Sequence, residues 1–213
     1  LIIICAAAVG TQADEIALFN FNDSDTVVDR ENAVGTPTLT TTASSTSFVT
    51  GTTLNAQMGD AAGQAFNLTG GSGDNGRFLQ VNASTQNFTN INVSFATQRS
   101  ATGFASLQFQ YSTDGTTFIN FGSAFDPMTS FTLQTFNLSG ITALNNNANA
   151  AFRIVINGAT GSTGTVRFDN LLVSGTAAQV NAPVPEPATV FLLGSGLAGT
   201  VGAIRRRRRS KSV

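Results

Sequence analysis

Short apolar alternations, each closed off by a cluster of Gly, Asn, Asp or Ser, recur between residues 16 and 174 and leave little choice of fold. A side-chain period of two sends one set of residues to a core and the other to solvent, the pattern of a half-buried β-strand. Leu107-Gln108-Phe109-Gln110-Tyr111 alternates cleanly. Phe131-Thr132-Leu133-Gln134-Thr135-Phe136 slips by one residue, which points to a bulge. Strands are expected over 16–22, 64–69, 77–83, 90–99, 105–112, 118–122, 131–138, 152–157 and 165–174. Asp114-Gly115 supplies the positive-φ corner of a hairpin. Residues 141–149 read as one helical turn, and the Thr-rich stretch 36–53 as a long loop or a weak edge strand. About nine short strands with regular turn signals predict an all-β, jelly-roll-like sandwich over 14–176. About 165 residues are enough for one domain with a sizeable core.

Charge is divided unevenly along the chain. Twelve acids and five arginines lie between Asp14 and Pro187, and six cations with no acid follow Ala188, so a net charge of −1 conceals a body of −7 and a tail of +6. An acidic body repels phosphate backbones, and no nucleic-acid partner is expected. The chain has no histidine, which removes the Ser-His-Asp triad, the usual imidazole base and every imidazole metal ligand. A carboxylate pair would suffice for glycoside hydrolysis. However, Asp60, Asp74, Asp114 and Asp126 stand in turn-like contexts, where Asp is common for backbone reasons. No catalytic residue is assigned, and the protein is read as non-enzymatic. Seventeen Phe beside one Tyr and no Trp point to aromatics used mainly for packing.

The carboxyl end is organised differently. Residues 188–204 carry no charge, and as a helix they extend about 26 Å at about 1.5 Å per residue. That is the lower limit for a hydrocarbon core about 30 Å thick, so length alone leaves a buried core helix open. The flank decides. Arg205, Arg206, Arg207, Arg208, Arg209 and Lys211 follow at once, where a core helix would suffer like-charge repulsion. Lys and Arg collect on the cytoplasmic side of membrane helices and snorkel to cover a short span. Residues 188–204 are therefore read as a transmembrane helix, 205–213 as a basic cytoplasmic tail whose five arginines stop transfer, and the body as lying outside.

Gly194-Ser195-Gly196-Leu197-Ala198-Gly199 fits the dinucleotide-binding G-x-G-x-x-G, but it sits inside the apolar span without the strand that the pattern needs. The arginine run is better matched to anionic lipid than to nucleic acid. Pro185 and Pro187 fix φ and bias their predecessors to extended geometry, making the linker 177–187 end in an extended strip that a processing enzyme can bind.

Val184, Pro185, Glu186 and Pro187, an apolar helix and an arginine cluster, in that order, resemble the PEP-CTERM sorting signal of Gram-negative bacteria. The resemblance implies recognition by an exosortase, an integral-membrane enzyme that cuts near the Pro-Glu-Pro strip and passes the ectodomain to the cell surface or extracellular matrix. It says little about the cargo, because such tails follow many unrelated ectodomains, ice-binding proteins among them. At the other end, residues 1–13 resemble the end of a secretory signal peptide, with small residues Thr11 and Ala13 placing cleavage before Asp14. Cys5 raises a lipoprotein alternative, disfavoured by the bulk of Ile4; cleavage after Ala13 leaves a mature chain without cysteine.

The body also resembles a jelly-roll ectodomain found on surface-anchored bacterial proteins. The likeness lies in Leu18-Phe19-Asn20-Phe21-Asn22-Asp23, Phe109-Gln110-Tyr111-Ser112-Thr113-Asp114-Gly115, Phe152-Arg153-Ile154-Val155 and Gly164-Thr165-Val166-Arg167-Phe168-Asp169-Asn170-Leu171. It implies adjacent first and last strands and carries over no functional residues. With those strands adjacent, Asn22, Asp23 and Asp25 would approach Asp169, an all-oxygen set suited to calcium; the alternative is a structural Asp169, satisfied by Arg167 or backbone donors. No other cofactor is expected. The leading functional expectation is a structural or adhesive matrix protein, and its rival is an exopolysaccharide-binding module. The absence of Trp counts against the rival and leaves Tyr111 and exposed Phe as the sugar platforms. Aromatics gathered on an exposed sheet face would favour glycan binding. A flat ice-binding strip at Thr36, Thr38, Thr40 and Thr42 is a third reading, weakened by the lack of repeats.

Overall fold

The computed structural model describes residues 13–178. The leader-like segment, the Pro-Glu-Pro strip, the apolar run 188–204 and the five arginines lie outside the described residues. Among the described residues no helix is long and apolar enough to cross a membrane.

Twelve strands form: β1 (Asp14–Phe19), β2 (Arg30–Glu31), β3 (Thr38–Thr41), β4 (Ser45–Thr50), β5 (Gln64–Thr69), β6 (Arg77–Asn82), β7 (Phe88–Arg99), β8 (Ser106–Ser112), β9 (Ile119–Asn120), β10 (Thr132–Asn137), β11 (Ala151–Asn157) and β12 (Thr165–Ala177). The nine expected strands are among them with adjusted ends. The Thr-rich stretch supplies two more, β3 and β4, each at the edge of a sheet, and β2 is a two-residue addition. These three bury little apolar side-chain area of their own, so their period-two signal is weak.

The strands make two sheets. One has seven strands, with the path β10-β7-β12-β1-β2 and with β4-β5 attached to β12; the other runs β3-β6-β11-β8-β9. First and last strands are adjacent, Leu18 opposite Leu172. One edge of the long β12 is shared end to end: β5 pairs with Thr165–Phe168, and β1 with Leu171–Gly175. At the junction the register on β7 shifts between Asp169 and Leu172, and Asn170 takes φ +48°. Asn tolerates this left-handed conformation better than most residues.

The bulge expected in β10 is not there. Thr132–Asn137 pairs with β7 without a register break, and Leu133 simply faces solvent at 49% exposure. An edge strand meets the core with only part of its length, so apolar and polar residues sort less strictly. The register shifts lie instead in β1 and β12, where strands change partner.

Between the sheets the phenylalanines pack on one another. Phe95, Phe109, Phe152 and Phe168 are essentially fully buried. Phe109 stacks on Phe136 with centroids 4.0 Å apart, and Phe95 meets Phe168 edge-on at 5.6 Å. The expected helical turn is a 3-10 turn at Thr142–Leu144. Buried Thr85 fastens it, donating its hydroxyl proton to the Leu144 carbonyl at 2.5 Å and accepting from the Asn147 N–H at 3.1 Å.

Residues 51–63 close the outer surface of the seven-stranded sheet. Asn55 donates to the Asn170 carbonyl at 2.7 Å and to the Ser94 hydroxyl at 3.1 Å. Asn170 in turn donates to the carbonyls of Thr52 and Leu54, both at 2.9 Å. Gly51 and Gly63 mark the two ends: a Cβ on Gly51 would collide with Asp169, and one on Gly63 (φ +44°) with Asn22. No comparable loop is hydrogen-bonded over the five-stranded sheet among the described residues, which leaves that sheet's outer face as the available surface.

Candidate functional site

Alternation decides what that face displays. In β11, Phe152, Ile154 and Ile156 enter the core, so Arg153 turns outward. In β6, Leu79 and Val81 are buried, so Phe78 and Gln80 turn outward. In β8, Leu107 and Phe109 are buried, so Gln108 and Gln110 turn outward. Pairing sets Gln80 and Gln110 on either side of Arg153.

These side chains are already organised. Arg153 donates from Nε and Nη2 to a single acceptor, Gln80 Oε1, at 3.0 and 2.7 Å. Gln80 donates to Asn82 Oδ1 at 2.7 Å, and Asn82 to the Thr38 hydroxyl at 3.0 Å. Across the face, Gln110 donates to Asn120 Oδ1 at 2.8 Å. The Arg153 guanidinium carbon lies 4.0 Å from the centroid of Phe78 and 3.5 Å from that of Phe118. Burial against the rings draws its pKa down, and no carboxylate offsets that effect. Thus the centre of the face is a guanidinium clamped between two phenyl rings within a row of amides and hydroxyls. Toward the Asn82 end the row opens into a cavity of about 280 Å³, bounded by Thr38, Asn82, Asp114 and Asn149 among others.

Asp114 holds the hairpin beside this cavity. Its Oδ1 accepts from the Ser112 hydroxyl and from the N–H groups of Thr116 and Thr117 at 2.9, 2.8 and 2.6 Å. Those donors keep the carboxyl far below the usual carboxylate range. Gly115 takes φ +78° at the corner, as the Asp-Gly pair implied. The other acids in turn contexts are also engaged. Asp60 pairs with Arg30 at 3.2 Å, Asp74 with Arg77 at 3.4 Å and Asp126 with Arg99 at 2.6 Å.

Of the calcium candidates, Asn22 and Asp169 anchor the two ends of residues 51–63, whereas Asp25 is bound within its own turn. Asn22 accepts from Gln64 N–H at 3.0 Å and donates to the Ala61 carbonyl at 3.3 Å, at one end of residues 51–63. Asp169 accepts from Thr52 N–H at 2.6 Å at the other end, and from Asn170 N–H at 2.8 Å. Asp25 accepts from Val27 N–H at 2.8 Å within its own turn, and repulsion from Asp23 and Asp25 adds to the burial that raises the pKa of Asp29. No group of three His, Cys, Asp or Glu among the described residues is placed to hold a metal, so Asp23, Asp25 and Asp169 do not form one. Asp169 is completely buried, and desolvation outweighs its two backbone donors, raising its pKa to about 7.

Tyr111, the expected sugar platform, faces inward and packs on Phe121 and the core. The rings on the outer face of the five-stranded sheet are Phe78 and Phe118. Phe78 was legible: it is out of step with Leu79 and Val81, so one of these sets had to face outward. Phe118 was not, because only the turn of the 112–119 hairpin carries it onto Arg153. Thr38 and Thr40 are exposed at the edge of the same face, a single short strand.

The sandwich is similar to several solved β-sandwich domains. One is the CBM22-1 xylan-binding domain from Paenibacillus barcinonensis Xyn10C, at 10% identity over 80% of this chain and 99% of that one, with a TM-score of 0.49. Another is TmCBM61 in complex with beta-1,4-galactotriose, at 10% identity over 72% and 92% of the two chains and TM-score 0.43. A third is an exo-beta-agarase, at 11% identity over 76% of this chain but only 26% of that one, with TM-score 0.51. At such identities the likeness concerns the fold alone. No curated protein sequence matches the chain. The body is a jelly-roll-like β-sandwich ectodomain. The chain that bears it carries the PEP-CTERM protein-sorting motif at residues 183–209, which implies export and processing of a membrane-anchored precursor in a Gram-negative bacterium.

Proposed function

We propose that this is a non-enzymatic envelope or matrix protein whose sandwich binds polysaccharide on the outer face of the five-stranded sheet. One observation carries the reading: Phe78 and Phe118 flank Arg153 amid a hydrogen-bonded row of amides on a face that no loop closes. A pyranose offers an apolar C–H face and a rim of hydroxyls. Aromatic rings remove the first from water, and fixed polar groups satisfy the second without much ordering at the moment of binding. Amides joined to one another beforehand also hold their rotamers, which lowers that ordering cost further.

Delivery belongs to the tail. The helix 188–204 would hold the precursor in the inner membrane with Arg205, Arg206, Arg207, Arg208 and Arg209 inside. An exosortase would then act near Val184, Pro185, Glu186 and Pro187, releasing the ectodomain to the surface or matrix. A marginal span suits a temporary anchor. Mass spectrometry of the carboxyl end from envelope and medium tests this: the extracellular form is expected to lack the arginine cluster, and an intact cluster there would sink the sorting reading. For the cargo, a glycan array probed with the purified protein is expected to give hits that Phe118→Ala removes while the far-ultraviolet dichroism is unchanged. An array without hits would leave only the structural matrix role.

A further inference from the structure

The charge pattern of the same face narrows its ligand, an inference that rests on the polysaccharide reading above. Residues 13–178 hold eleven acids and five arginines, yet β3, β6, β8, β9 and β11 contain no Asp or Glu at all. Two of the arginines lie in that sheet. Arg77 is taken by Asp74 at 3.4 Å and by the Thr42 carbonyl at 2.9 Å. Arg153 is different: its side-chain partners are the neutral Gln80 and two phenyl rings, and it meets no carboxylate among the described residues.

Three of the five arginines, Arg30, Arg77 and Arg99, have a carboxylate partner; Arg167 has Gln98 Oε1 at 3.4 Å, and Arg153 is the one held between two rings among the described residues. A guanidinium desolvated by two rings without a carboxylate partner is an uncompensated charge. Nε and Nη2 converge on one oxygen of Gln80, so Nη1 makes no hydrogen bond among the described residues. Arginine presents its donors as a fork matched to a planar carboxylate. The acceptor that fits is a carboxylate on the ligand.

We infer that the outer face of the five-stranded sheet takes an acidic polysaccharide, with a uronate or other carboxylate-bearing sugar seated on Arg153 between Phe78 and Phe118. Neighbouring neutral hydroxyls then fall to Gln110, Asn120 and Asn82. The acidic surroundings sharpen the choice: acids elsewhere on the body, Asp114 at the adjoining cavity among them, repel an anionic chain, so its carboxylate is registered on Arg153.

Affinity electrophoresis of the purified full chain, in a polyoxyethylene detergent free of sugar headgroups, tests this. The probes are alginate, polygalacturonate, hyaluronate and xanthan, each beside its own carboxyl-reduced form, with xylan and galactan as neutral polymers. At least one acidic polymer is expected to retard the protein about ten- to a hundredfold more strongly than its reduced form, the range for a hydrogen bond to a charged group. Arg153→Gln is expected to abolish that difference, added salt to diminish it, and Arg167→Gln, which changes charge away from the face, to leave it intact. Equal retardation by acidic and reduced forms, or retardation by neutral polymers alone, overturns the inference and leaves the polysaccharide reading standing. Retardation by none overturns both.

Discussion

Asp169 offers a sharp test of how this sandwich is held together. Its carboxylate is completely buried and accepts only the Thr52 and Asn170 N–H groups, and desolvation lifts its pKa from 3.8 to about 7. The folded state therefore binds a proton that the unfolded chain has already lost between these two values. Stability is then fully present below about pH 4 and falls as pH rises through about 7, opposite to the usual behaviour of a paired carboxylate. Across the whole interval the effect is on the order of 4 kcal/mol, at about 1.36 kcal/mol per pH unit. Between pH 5 and pH 8 about 2.5 kcal/mol of it is lost. No histidine titrates in this window, because the chain has none. Guanidinium denaturation in EDTA at both pH values, for the wild type and Asp169→Asn, reads the difference as a shift in midpoint. The wild type is expected to be less stable at pH 8 by about 2–3 kcal/mol, and the variant to be nearly flat. A flat wild type, or the same slope in Asp169→Asn, would refute the reasoning. The same titration with calcium settles the fate of the metal candidates. Calcium on Asp169 would favour the ionised form and raise the pH 8 midpoint, in the wild type but not in the variant.

Other expectations follow from single contacts. Phe109→Ala removes a buried ring stacked on Phe136 at 4.0 Å and is expected to lower stability by about 3–5 kcal/mol in denaturant titrations. Asn170→Ala leaves the carbonyls of Thr52 and Leu54 without their donor; a loss of about 1–3 kcal/mol and faster amide exchange confined to residues 51–63 and their partners are expected. Tyr111→Phe is expected to leave polysaccharide retardation unchanged, because the ring faces the core; a loss as large as that of Phe118→Ala would place the ligand elsewhere.

How much of this was legible depended on the range over which each residue acts. Leu107 to Tyr111 announced a strand because its neighbours in sequence are its alternation. The Asp114 corner was readable for the same reason, since an Asp two or three residues from the N–H groups it accepts needs no tertiary partner. Asp169 was harder. Its residue type suggested a ligand, but its principal donor is Thr52, 117 residues earlier, and only the fold brings them together. Tyr111 was legible too: it stands in step with the buried Leu107 and Phe109, so alternation alone turns its ring inward, onto Phe121 and the core.

The sequence by itself determined the all-β class, the acidic body, the absence of imidazole chemistry and the sorting motif at residues 183–209. These are properties of composition, local period and linear order, and they survive any arrangement of the strands. Only tertiary structure decided which face is open. Residues 51–63 fold over one sheet because Gly51 and Gly63 admit the approach and because Asp169 and Asn170 hold the segment there. The other sheet keeps Arg153 between two rings that lie 75 and 35 residues away in sequence. Long-range pairing made that face, and no local pattern encodes it.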